Sequence, residues 1–272
     1  MRILFLGDIV GRAARNAVIE SLPSLRAELG ADFIVINGEN AAGGFGITPQ
    51  IADDLFAAGG DVVTTGNHAF DKAEIATYIA HQPKLIRPAN MNPAFPGAGE
   101  VIVQNADGMR LGVVNIMTNL FMAENDNAFH VLDKVLDRLV LGAQVDALLV
   151  DVHGEATSEK MAIGHYLDGR ASVVVGTHTH IPTADHQILA GGTAYQTDAG
   201  MCGDYDSVIG MNKDVATARF TGRPVEKGKK NRLSVATGSV TLCGLIADID
   251  PATGLATKVS AFRRGGQLSQ AD

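Results

Sequence analysis

The 272-residue chain contains no tryptophan and only two cysteines, Cys202 and Cys243, with no CxxC pair and no zinc-finger spacing. That excludes a disulfide scaffold and a thiolate zinc site, and suits a reducing compartment. A basic face is missing as well. Lys and Arg number 22 against 30 Asp and Glu, for a net charge of −8, which argues against an extended nucleic-acid surface. It leaves room for a small anionic substrate, because a metal centre supplies local positive charge that bulk composition hides. No apolar run approaches the length that spans a bilayer, and Met1 to Asp8 is a strand-length run too short for a signal-peptide core. No repeat of solenoid length is visible. The expectation is a cytoplasmic protein with no membrane contact, as a monomer or a homo-oligomer.

What is present is a core and a rhythm. Apolar residues make up 46% of the chain, and 31 glycines are spread along it. Short apolar runs alternate with helix-like segments, the pattern of βα units. Strands are expected at 3–6, 33–36, 61–65, 147–152 and near Val173. Helices are expected at about 13–29, from Thr48 as N-cap through Pro49 to about Ala58, near 72–81 and at 128–141. Residues 101–103 and 111–115 around Asp107-Gly108, and 242–250 and 257–263 around Pro251 to Gly254, resemble hairpins. The chain reads as one domain, 1–272. Its rhythm breaks at about 201–235, which is either a solvated loop or a cap that folds over the site.

Chemistry gathers where the strands end. His178 and His180 follow the run Ala171 to Val175, and alternation along a strand would send both imidazoles to one side. Other expected strands end at Asp8, at Glu39 with Asn40, at Asn67 with His68, and at His153. Each alone has an ordinary explanation: Asp8 could cap a helix, Asn67 could fill a turn, and His153 could be a satisfied buried partner. Jointly, beside Gly7, Gly38, Gly66, Gly154 and Gly176, they suggest a site that the backbone approaches closely. Carboxylates, amide oxygens and imidazoles without thiolates suit a pair of first-row ions, iron or manganese first and zinc as a further option. Glu39 is the candidate bridge. Two cations sharing a hydroxide would bring its pKa towards neutrality, and His68 would be free to act as general acid.

Gly7-Asp8, Gly38-Glu39-Asn40, Gly66-Asn67-His68, His153-Gly154 and Gly176 to His180, in this order, resemble the blocks of the calcineurin-like metallophosphoesterases. Gly7 to Arg12, Asn37 to Asn40 and Gly66 to Asp71 resemble the bacterial YmdB-like branch in particular. The resemblance implies a four-layer α/β/β/α sandwich and a dinuclear centre. Asp8, Glu39 and His180 would hold one ion; Glu39, Asn40, Asn67, His153 and His178 the other, with His68 as catalytic acid. It also implies hydrolysis of small phosphodiesters, 2′,3′-cyclic nucleotides among them, with a phosphate-bearing product. A metal-binding regulator that recognises a nucleotide, RNA or a protein without turnover is the alternative.

The chain departs from the wider superfamily at Val10, where a histidine is usual, and at Glu39, where an aspartate is usual. Ala69 follows His68 where an acid could orient it; Asp71 could do so or could cap the next helix. Arg12 and Arg15 are either phosphate clamps or a solvated helix face. Asp198 and Asn119 are candidates for orienting ligands, while His81, His130, His165 and His186 read as surface or packing residues. A dinucleotide site is excluded, because Gly7 to Gly11 does not match GxGxxG.

Overall fold

The computed structural model describes residues 1–224 and 232–271. Two six-stranded mixed sheets lie face to face with helices on the outer sides, the α/β/β/α sandwich that the resemblance implies. In the first, β1 (Arg2–Leu6), β2 (Phe33–Asn37) and β3 (Val62–Thr64) run parallel. Antiparallel β11 (Val240–Ile249) pairs with β1, with β12 (Ala256–Arg264) and with β10 (Gly203–Asp204). The second sheet has the order β4 (Glu100–Gln104), β5 (Arg110–Met117), β6 (Ala147–His153), β7 (Val173–Thr177), β9 (Ala194–Gln196), β8 (Gln187–Ile188), with β5, β6, β7 and β9 parallel. Both expected hairpins are present, as β4–β5 and β11–β12.

Period-2 alternation sorts each strand between two cores. Leu4 and Leu6 of β1 and Ile34 and Ile36 of β2 face α1 (Gly11–Leu29) and α2 (Pro49–Ala57). Ile3, Phe5, Phe33 and Val35 face the second sheet, where they meet Val113, Leu149, Val173 and Val175. Leu148, Val150, Val152 and Val174 face α4 (Ala128–Leu136) and α5 (Thr157–Tyr166). Thr48 caps α2 by accepting from the Ile51 amide, with Pro49 at its first position, and α1 stops at Gly30 in the left-handed region, φ 61°.

Followed toward the C-terminal ends of the parallel strands, the inter-sheet columns change character. Phe33–Val35 continues to Asn37, Ala147–Leu149 to Asp151 and His153, Val173–Val175 to Thr177, and Val62 to Thr64, all buried. The sandwich is therefore oily through most of its depth and polar at one end. The functional residues gather at that end.

Three local readings are corrected. The helix expected near 72–81 is the short α3, Ile75–Ile79. Helix α5 was not anticipated. The stretch 201–235 is not irregular throughout, since it carries β10 and α6 (Lys213–Thr221), closed by Gly222 at φ 67°. Its lysine-rich segment, Lys227 to Asn231, lies outside the described residues. Among the described residues, no helix is long and apolar enough to cross a membrane.

Candidate metal centre

Because β1, β2 and β3 run parallel in one sheet and β6 and β7 in the other, their C-terminal loops meet over the polar end of the sandwich. His153 is the hub. Its Nε2 lies 2.9 Å from Asn67 Oδ1, 3.1 Å from His178 Nδ1 and 3.2 Å from Glu39 Oε1. Glu39, His153 and His178 offer ligand atoms within 4.8 Å of one another. A second group adjoins it: His180 Nε2 lies 3.2 Å from the Asn40 amide nitrogen and 4.0 Å from Asp8 Oδ1. Glu39 touches both groups, because its Oε1 also accepts from Asn40 at 3.1 Å. Asp8, Glu39, Asn40, Asn67, His153, His178 and His180 are thus brought together.

His68 stands at the rim. Its amide donates to Glu39 Oε2 at 3.2 Å, and its Nδ1 lies 2.8 Å from Asp71 Oδ2. Helix α3 begins after Glu74, so Asp71 orients His68 and does not cap the helix.

The histidines are fixed from behind. Thr177 donates its hydroxyl to Asp151 at 2.7 Å and so accepts from His153 Nδ1 at 2.9 Å, which leaves Nε2 facing the centre. Thr64 at 2.5 Å and Asn37 at 3.0 Å donate to the other Asp151 oxygen. His180 donates Nδ1–H to the Ile209 carbonyl at 2.9 Å. The two loop histidines do not arrive by strand alternation: β7 ends at Thr177, and His178 and His180 are left-handed, at φ 94° and 68°. Such backbone survives in a non-glycine residue only when its surroundings over-determine it. Asp198 does this. It accepts from Thr179 N at 3.1 Å, Thr179 Oγ1 at 2.6 Å and Gly200 N at 2.8 Å, and it pairs with Lys160 Nζ at 2.8 Å. Lys160 also donates to the Thr177 carbonyl at 2.7 Å.

The donor set and its electrostatics fit cations. Asp8, Glu39, Asp151 and Asp198 are each 0% exposed, and among the described lysines and arginines Lys160 alone forms an ion pair with any of them. Buried charge without compensation is costly. Protons respond to that cost. Burial raises Asp8, and it raises Asp151 to about 6. Burial alone would lower His153, but Glu39, Asp8 and Asp151 outweigh it and push the imidazole up to about 9. Burial would raise Glu39, yet His153 and His68 hold it at about 2. His178 is lowered to about 3 by burial and by the neighbouring His153. Asp8 Oδ1 and Asn40 Oδ1, both buried, have no hydrogen-bond partner. Buried oxygens of this kind are normally satisfied, and a cation would satisfy both.

Other candidates lie elsewhere. Arg12 is exposed on α1, and Arg15 donates to the Ala41 carbonyl at 3.4 Å. Asn119 closes its own loop onto Asn125, Asp126 and Ala128. His81, His130, His165 and His186 are exposed. Cys202 is buried and its thiol is pushed up by burial. Val10 is buried at 2% exposure. Sequence reading missed Thr177, Lys160 and Asp151; a carboxylate within the apolar run Leu148 to Val152 was the available signal for the last.

Comparison with known proteins bears on this arrangement. A family model described as YmdB-like protein matches residues 4–262. The chain is 45% identical over 260 residues to a Bacillus subtilis protein named 2′,3′-cyclic-nucleotide 2′-phosphodiesterase, covering 95% of each. The crystal structure of a hypothetical protein from Thermus thermophilus superposes with a TM-score of 0.86 at 38% identity, covering 98% of this chain and 100% of that one. The crystal structure of a novel phosphatase from Mycoplasma pneumoniae superposes with a TM-score of 0.85 at 31% identity, covering 97% and 93%.

Proposed function

The chain belongs to the YmdB-like family, and from that premise we propose that it is a metal-dependent phosphodiesterase acting on small diesters, 2′,3′-cyclic nucleotides foremost. The observation that carries the reading is the convergence of Glu39, His153 and His178 within 4.8 Å, with Glu39, His178 and His68 lining one cleft. That cleft holds about 400 Å³, within the roughly 300–1,000 Å³ of small-molecule sites and too small for a long polymer. Cleavage of the 2′ ester, the bond named for the Bacillus relative, leaves a nucleoside 3′-phosphate.

Asp8, Glu39 and His180 would hold one ion; Glu39, Asn40, Asn67, His153 and His178 the other. Iron or manganese suits these imidazole, carboxylate and amide donors, with zinc a further option. Bound cations would supply Lewis-acid charge for the phosphoryl oxygens and an activated water. The chain's own part follows from the geometry. Asp71 engages Nδ1 of His68, so Nε2 is the nitrogen free to hand a proton to the departing 2′ oxygen. Thr177 with Asp151, and Ile209 with His180, keep the remaining imidazoles aimed inward.

The inter-sheet core shared by both sheets supports a single domain. Ile209, Met211 and Leu233 line the cleft, which supports a framing role for the described parts of 201–235. Buried, unpaired Cys202 and Cys243 suit a reducing cytoplasm.

The test is turnover of adenosine 2′,3′-cyclic phosphate by the metal-loaded protein. His68→Ala should lower kcat about 10²- to 10⁴-fold while the metal content per chain stays unchanged. A metal-loaded wild type that binds the nucleotide without cleaving it would establish the regulator instead. After chelation, Mn²⁺ or Fe²⁺ should restore activity better than Mg²⁺, since imidazole ligands favour the softer ions. Equal rescue by Mg²⁺ would contradict the ligand assignment.

A further inference from the structure

The cleft is chemically two-sided. Glu39, Asn40, His68, His178 and His180 form its polar part; Phe45, Ile209, Met211 and Leu233 form an apolar part. Two of these apolar side chains stand well out in water, Phe45 at 41% and Ile209 at 50% exposure. Exposed apolar surface beside a polar centre is a common mark of a ligand site.

Both residues are positioned by left-handed backbone, at their neighbours or at the residue itself. Phe45 lies among Gly43, Gly44 and Gly46 at φ 76°, 95° and 76°, left-handed turns that glycine adopts without strain. Ile209 is itself left-handed, at φ 47°, an outlier for a β-branched residue. The carbonyl of this same Ile209 accepts from His180. Strain of this kind clusters at functional sites.

Phe45 also sits next to the proton donor. Its ring centroid lies 5.0 Å from that of His68, with the planes 72° apart. In a 2′,3′-cyclic nucleotide the leaving 2′ oxygen is on C2′ and the base is on the adjoining C1′. A substrate that offers its 2′ oxygen to His68 must therefore place its base within a few bonds of that histidine, beside Phe45.

We infer that Phe45 is a stacking platform for the nucleobase, with Ile209 and Leu233 completing an apolar subsite. The inference rests on the phosphodiesterase reading and adds the group that distinguishes a nucleotide from a bare cyclic phosphate. The subsite's own side chains offer no hydrogen bond. Of the polar cleft residues outside the centre, Thr179 donates to Asp198, and Glu155, its side chain 54% exposed, lies 3.4 Å from His178. Selection by the apolar subsite is thus by stacking area, purines over pyrimidines.

The absence of native tryptophan supplies a readout besides activity. In metal-loaded Phe45→Trp, adenosine 3′-monophosphate should quench the single indole and ribose 3-phosphate should not. In Phe45→Ala, kcat/KM for adenosine 2′,3′-cyclic phosphate should fall about tenfold or more relative to ribose 2,3-cyclic phosphate. The loss should lie mainly in KM, be smaller for the cytidine substrate, and be reversed by Phe45→Tyr. Equal losses on the two substrates, or equal quenching by ribose 3-phosphate, would overturn the inference. A wild type that cleaves the base-free and adenosine substrates with equal kcat/KM would overturn it while leaving the hydrolytic reading intact. A wild type that cleaves neither would overturn both.

Discussion

Gly66→Ala should strip the centre of its metal, and with it all metal-dependent turnover, in a protein that still folds. A Cβ at position 66 would lie 2.3 Å from Glu39 Oε2 and 2.3 Å from His153 Nε2 and Cδ2. No van der Waals contact survives at that separation, so something must shift. The Gly66 backbone is not left-handed, hence alanine introduces no local strain, and the atoms in its way are side-chain ends. Those ends belong to the hub of the centre and to the carboxylate shared by both groups of ligands. The added methyl converts a steric problem into loss of ligand geometry, and binding sites tolerate only about 0.5 Å of such error. Elemental analysis after loading with Mn²⁺, together with a thermal melt of the metal-free protein, separates the two effects. The expected pair is metal content near zero and a melting temperature close to wild type. A full complement of metal in Gly66→Ala would refute the assignment of Glu39 and His153 as ligands.

That glycine also shows what the sequence made legible and what it did not. The sequence marks the strand-end glycines at 7, 38, 66, 154 and 176 as places of close approach. The approach is real: a Cβ on Gly7 would meet the Gly200 carbonyl at 1.9 Å, and one on Gly176 the Thr197 carbonyl at 1.8 Å. Turning is seen at two of them, where the Ala41 amide donates to the Gly38 carbonyl at 3.2 Å and the Ala69 amide to the Gly66 carbonyl at 3.1 Å, although none of the five is left-handed. The left-handed positions are His178 and His180, whose spacing had suggested a continuing strand. Their conformation is held by Asp198, Lys160, Asp8 and Met201, from 18 or more residues away in the chain, and no local pattern records it. Strands and hairpins were readable because each carries its own period of 2. Helix α5 was not, because its inward residues are Glu159, Lys160, Ile163 and Gly164, so an apolar stripe never forms. Glu159 is buried because it accepts from the Asn119 and Leu120 amides, and Lys160 because it serves the histidine loop. Tertiary hydrogen bonds replaced the hydrophobic signal there.

Lys160→Met follows from the same helix. The side chains of Lys160 and Asp198 are 1% and 0% exposed, so removing the ammonium leaves Asp198 buried with no cationic partner, held by the Thr179 and Gly200 donors alone. Losing one member of a buried pair costs about 3–5 kcal/mol, which in a chain of this size lowers the melting temperature by roughly 10 °C. The damage should reach the centre too. With Asp198 uncompensated and the Thr177 carbonyl left with the 3.4 Å bond from the Gly154 amide, the left-handed His178 and His180 lose part of what holds them, and metal affinity should fall along with stability. Adding Asp198→Asn removes the orphaned charge but keeps an oxygen for the Thr179 hydroxyl. The double variant should therefore be more stable than Lys160→Met alone, the sign that a coupled pair gives in a double-mutant cycle. Urea unfolding of the four proteins, with manganese titrations beside them, measures both quantities. If Lys160→Met costs less than about 1 kcal/mol and the second change only adds to the loss, the pair is not what fixes this loop. The left-handed histidines would then have to be held by the hydrogen bonds of Asp198, Ile209, Asp8, Met201 and Tyr205.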